Sequence, residues 1–209
     1  LLEEIFIQLV SKYRSNRKAN TALWENIAKK YNSKLRYYHN IRHLEQINSQ
    51  LLLVKDKINN WDVVLFSLFY HDYVYSVLIT NNEGKSAREA VKVMTELDVA
   101  NKDIKACRAM ILATKGHYVS ETSDVNYFTD ADLSILGQPW ERYDTYRKNV
   151  RKEYNIYPNS VYNKGRVKVL NELANMPRLY KMEPFFSMYE TQAKENMRKE
   201  IELLSNSLP

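Results

Sequence analysis

Cysteine occurs once in the 209 residues, glycine four times and proline five times. A single thiol, Cys107, excludes a disulfide scaffold and any zinc or iron–sulfur site built from several cysteines. So few glycines and prolines argue against an all-β chain, whose many tight turns draw on both residues. No apolar run approaches the roughly 18 residues of a membrane span. The opening LLEEIFIQLV has no basic stretch ahead of its apolar residues, as a signal peptide would have. Charge of one sign is never concentrated either: 31 Lys+Arg against 25 Asp+Glu leave +6, without a block of about five or six like charges. These absences leave the expectation of a soluble, cytoplasmic protein with no membrane partner. The basic excess suits a small anionic substrate as well as nucleic acid, and no reader motif favours nucleic acid.

What is present is hydrophobic residues, at 44%, in helical spacing. Leu2, Ile5, Phe6, Leu9 and Tyr13 recur at three- and four-residue intervals. Asn20 or Thr21 is placed to cap a second helix carrying Leu23, Trp24, Ile27 and Tyr31. A third helix is expected over 38–54. The stretch WDVVLFSLFYHD is the most apolar in the chain. Its length and helical neighbours outweigh the strand preference of its Val and Phe, so it reads as a helix buried on most sides. Amphipathic segments follow at 86–97, 103–114, 130–136, 140–154, 160–175 and 185–204. No repeat, low-complexity tract or linker interrupts them, and the expectation is one all-α domain over 1–209. Cys107 reads as a small core residue.

The chemistry lies in four histidines, His39, His43, His71 and His117. In YHNIRHLEQI two are spaced i, i+4, which a helix would bring to one side. In FYHDYVY the third is followed by an acid at the end of the most apolar segment. Burying His71 and Asp72 beside Phe69 and Tyr70 is costly without partners, and a metal ion or hydrogen-bond network is the usual remedy. A second acid pair stands in FTDADLSILG. Histidine nitrogens with carboxylates suit Zn, Fe, Mn, Co or Ni and do not suit Ca. The alternative is a set of core histidines satisfied by hydrogen bonds.

A histidine, then His-Asp, then a distant Asp in a helical chain resembles the HD superfamily of metal-dependent phosphohydrolases. RYYHNIRHLEQI, FYHDYVY, NNEGKSA, ILATKGH, TDADLSILG, RKEY, KGRVKVL and the closing AKEN and EIELL segments are similar, in order, to a predicted phosphohydrolase branch of that superfamily. The resemblance implies a single HD-domain helical bundle. It implies that His43, His71, Asp72 and Asp132 hold one or two divalent ions (Mn, Mg, Co, Ni, Fe or Zn), with Asp72 placed to bridge two. Asp130 is then a cap or a supporting acid. YHNIRH is also similar to the YHNxxH segment of cyclic-nucleotide phosphodiesterases, which implies His43 as ligand and His39 as general acid. By the same likeness Glu83 would hold a water or orient His39, Lys115 would meet a phosphate oxygen, and His117 would bind substrate. Their purine-selective C-terminal pocket has no counterpart here.

Arg151 and Arg166, in RKEY and KGRVKVL, are further substrate-binding candidates, because the guanidinium fork matches phosphate oxygens. Either can instead pair with Glu153 or Glu172 to join helices. The implied activity is hydrolysis of a phosphomonoester or phosphodiester, with a nucleotide favoured, by a metal-activated hydroxide. The alternatives are a non-hydrolytic HD module that senses a nucleotide, and a di-iron oxygenase, for which His117 alone is spare. A homodimer is left open.

Overall fold

The computed structural model describes residues 1–206, and every regular element among them is helical. The helices are α1 (Leu2–Ser11), α2 (Arg17–Tyr31), α3 (Ile41–Leu52), α4 (Trp61–Tyr70), α5 (Asn82–Glu96), α6 (Asn101–Ala113), α7 (Ser123–Leu133), α8 (Trp140–Glu153), α9 (Asn159–Ala174) and α10 (Glu183–Ser205). Short 3-10 turns occupy Lys55–Lys57 and Ser134–Gly137. The expected all-α class is what is found. Among the described residues no helix is long and apolar enough to cross a membrane. The chain divides into two compact units, Leu1–Thr129 and the residues from Asp130 on, and the division falls within α7.

In the first unit α4 is the central element: every residue from Val63 to Tyr70 is buried, and α1, α3, α5 and α6 pack around it. Its start is fixed by polar side chains. Asn60 Oδ1 accepts from Val63 N at 3.2 Å, while the Asp124 carboxylate accepts from Asn59 N and Asn60 N at 2.9 and 2.8 Å. The one serine in this apolar run, Ser67, donates to the Val63 carbonyl at 2.9 Å. It also contacts Cys107 Sγ at 3.4 Å, so the single cysteine lies in the core, where burial pushes its thiol up to about 12. Phe6 of α1 meets Phe69 edge-on at 5.0 Å.

Four helix starts differ from the pattern-based expectation: α5 begins at Asn82 instead of 86 and α7 at Ser123 instead of 130, and α2 and α3 also shift. α2 begins earlier, capped by Asn16, whose side chain accepts from Ala19 N at 3.0 Å. Asn20 is instead fully buried and donates to the Arg14 carbonyl and to Ser11 Oγ, stitching α2 to the preceding turn. α3 begins at Ile41, because Asn40 has extended backbone and caps Arg42 N at 2.9 Å.

The second unit joins α8, α9 and α10. Glu200 of α10 accepts from Tyr143 Oη of α8 at 2.5 Å and from Arg166 Nε and Nη2 of α9 at 3.0 and 3.1 Å. Glu190 accepts from Leu179 N and Tyr180 N and pairs with Lys194 at 2.8 Å. A Cβ at Gly137 would lie 2.4 Å from the Tyr189 Cβ, so glycine is what lets the 3-10 turn pack directly on α10.

Candidate metal centre

The end of α4 builds the centre. His71 occupies the C-cap position, and its Nδ1 lies 2.9 Å from the Leu68 carbonyl oxygen. A carbonyl only accepts, so Nδ1 carries a proton, and Nε2 is the nitrogen turned toward the other groups. That nitrogen faces His43 Nε2 of α3 at 3.3 Å and Asp72 Oδ2 at 3.2 Å, and His43 Nε2 to Asp72 Oδ2 is 3.7 Å. His43 and His71 are only 4% and 1% exposed. When both rings are neutral, their lone pairs and the carboxylate repel one another unless a cation lies among them. Bonds of about 2.0–2.2 Å to a divalent ion set neighbouring ligand atoms about 3.0–3.6 Å apart, close to the observed spacings. These residues fit a metal.

α7 supplies the fourth candidate. The Phe128 ring meets His71 edge-on at 5.7 Å, and Asp132 follows Phe128 by one helical turn on the same face. His43, His71 and Asp132 each offer a ligand atom within 4.8 Å of the others, a group able to hold a metal ion. Asp72 is held ionised. Burial raises its carboxyl, but the positive charge and hydrogen bond of a protonated His71, then the fields of His39 and His43, outweigh that and keep it well below the usual carboxylate range.

His39 is not on the helix with His43, as the i, i+4 spacing suggested. Asn40 starts α3 one residue later, so His39 stays in the preceding bend. There its ring stacks on Tyr75 at 4.1 Å and lies 5.7 Å from the His43 ring.

Arg36, which sequence patterns gave no role, joins the two loops that carry these groups. Its Nη1 donates to the Asp72 carbonyl at 2.8 Å and the His39 carbonyl at 3.3 Å, and its Nη2 to the Tyr73 carbonyl at 3.1 Å. The guanidinium sits 4.9 Å over the Tyr31 ring, and Tyr31 Oη accepts from Asp72 N at 3.2 Å.

The remaining candidates, Asp130 apart, stand on other elements. Glu83 is half-buried in the first turn of α5, and Lys115 is exposed in the turn after α6. His117, in the same turn, has left-handed backbone at φ 52°. Asp130 is fully buried, accepts from Lys181 N and Met182 N ahead of α10 at 3.1 and 2.7 Å, and pairs with Lys181 Nζ at 3.2 Å. Arg166 forms its ion pair with Glu200. Arg151 donates to the Tyr154 and Tyr157 carbonyls and to Asn159 Oδ1, holding the α8–α9 loop. Neither protein-family models nor curated proteins give a match to this chain.

Proposed function

We propose that the His/Asp centre binds a divalent metal ion and hydrolyses a phosphate ester, with a nucleotide as the favoured substrate. The observation that carries this reading is the commitment of His71 Nδ1 to the Leu68 carbonyl while its Nε2, His43 Nε2 and the Asp72 carboxylate converge at ligand spacings. Metal-bound histidines characteristically donate their other ring N–H in this way. The resemblance to HD phosphohydrolases selects the same residues together with Asp132. When bound, a divalent cation supplies Lewis acidity that lowers the pKa of water and offsets charge on phosphoryl oxygens. His43, His71, Asp72 and Asp132 would hold it. His39, beside the group and stacked on Tyr75, is the side chain for protonating the departing oxygen near neutral pH. Glu83, Lys115 and His117 keep their proposed roles on the resemblance alone.

The test combines metal analysis of the purified protein with phosphate release from nucleoside mono-, di-, tri- and cyclic phosphates in the presence of Mn, Co, Mg or Zn. Asp72→Ala is expected to lose metal and turnover together. His39→Ala is expected to keep its metal while kcat falls by about 10²–10⁴; metal loss in this variant overturns the acid assignment. Nucleotide binding to metal-loaded protein without product release points instead to the sensing module.

A further inference from the structure

α8 carries Arg147, Lys148, Arg151 and Lys152 in the spacing i, i+1, i+4, i+5, which gathers four cations on one side of the helix. They border a cavity of about 400 Å³ that also reaches Asn159 and Tyr162 of α9. Tyr162 in turn helps line a second cavity of about 260 Å³, whose walls include Tyr154, Tyr157, Gly165 and Arg166. One cavity is thus cationic and the other aromatic, and they share a tyrosine.

The charge of Arg147, Lys148 and Arg151 is only partly balanced. Asp144 pairs with both Arg147 and Lys148, at 2.5 and 2.6 Å, one acid against two bases. Glu200, the acid bordering the cationic cavity, is paired with Arg166. The hydrogen-bond partners of Arg151 are neutral, two carbonyls and an amide oxygen, so its charge is positioned by them and not cancelled. Its guanidinium lies 4.7 Å over the Tyr162 ring. Tyr162 itself is 7% exposed, and its buried hydroxyl has no hydrogen-bond partner among the described residues, which is unusual for a phenol in a protein interior. Burial holds that phenol up at about 12, so it is a donor at neutral pH.

Gly165 points the same way. It lies in the middle of α9, where glycine is the poorest ordinary helix former. No close approach requires it, because a Cβ built there meets nothing within 4 Å. Its effect is to leave the wall of the aromatic cavity open.

We infer that these two cavities form a nucleoside-phosphate site, with the base stacked in the tyrosine-lined cavity and the phosphate held by the α8 cations. Bases stack on aromatic rings whatever their identity, and guanidinium and ammonium groups recognise phosphate. The site belongs entirely to the second unit and uses none of the four proposed metal ligands.

The test is binding of AMP, GMP, CMP and UMP to the full chain, as purified and after EDTA treatment, by isothermal titration calorimetry. At least one of the four is expected to bind at one equivalent, with and without EDTA, and more weakly at high salt. Gly165→Leu, which fills the aromatic cavity, is expected to weaken it at least tenfold while melting no lower than the parent chain. Lys148→Glu is expected to weaken binding by about tenfold, and ribose 5-phosphate to bind at least tenfold more weakly than the nucleotide. No binding by any of the four overturns the inference. So does a Gly165→Leu variant with unchanged affinity, and so does ribose 5-phosphate binding as tightly as the nucleotide, which reduces the site to an ionic contact. Binding abolished by Asp72→Ala but not by Gly165→Leu places the nucleotide at the metal centre and overturns it as well. Failure here leaves the metal reading intact, since metal content and turnover are separate readouts.

Discussion

Arg36 spans three backbone carbonyls, those of His39, Asp72 and Tyr73, in the two loops that carry His39 and Asp72. It is 9% exposed, and the rings of Tyr31 and Tyr75 flank its guanidinium at 4.9 and 5.5 Å. It touches none of the proposed ligand atoms, which makes it a positioning residue. Arg36→Ala is expected to lower metal affinity about 10–100-fold, the usual cost of removing a group that orients a ligand, with helix content unchanged by circular dichroism. Arg36→Lys should recover little, because one ammonium cannot reproduce a fork aimed at several carbonyls. Metal titration of both variants checks this, and wild-type affinity in Arg36→Ala refutes it. His43, His71 and Asp72 were legible in the sequence because their spacing and their apolar surroundings are side-chain properties. Arg36 stands in the same RYYHNIRH segment but was illegible, since its partners are main-chain carbonyls that no residue pattern encodes.

Individual helices were legible wherever apolar periodicity was strong, and their ends were not. α4, α6, α8, α9 and α10 lie close to the expected spans, because each needs one long face buried. α2 and α3 shift at their starts because a cap is decided by which side chain meets a free N–H, here Asn16 for α2 and Asn40 for α3. Glu190 is the corresponding case inside α10. No pattern marks it, yet it anchors the backbone of Leu179 and Tyr180. Burial raises its carboxyl, but the Lys194 bond and the two backbone N–H groups outweigh this and hold it below its ordinary value. The sign of the pH dependence follows. A depressed folded pKa contributes stability that is present above the unfolded value of about 4.3 and is lost as pH falls through the folded one. Glu190→Gln is therefore expected to cost about 1–3 kcal/mol at pH 7. It should also flatten the decline in stability as pH falls below about 5, within the acid range where such carboxylates are titrated. Urea melts at several pH values measure both effects, and an unchanged acid limb counts against this account.

At the scale of the molecule the metal centre is a question of stability as well as chemistry. Its candidate ligands come from α3, from the end of α4 and from α7, segments far apart in sequence. The unfolded chain cannot hold them together, so an ion bound by the folded chain stabilises it by mass action. At a free metal concentration about 100 times Kd the gain is about 2.7 kcal/mol. For a chain of this length each kcal/mol moves Tm by about 2–4 °C, which predicts a rise of roughly 5–10 °C on adding the cognate ion and a matching fall with EDTA. Asp72→Ala should remove most of that response, whether or not its own Tm is altered. The shift also sorts the candidate ions independently of any substrate. Mn, Fe, Co, Ni and Zn match a mixed imidazole and carboxylate set, and Ca, an oxygen-seeking ion, should leave Tm in place. A Tm indifferent to every one of these ions and to EDTA would mean that His71 and His43 share a proton instead, with Asp72 as its counter-charge, and the hydrolytic reading would fall with the metal.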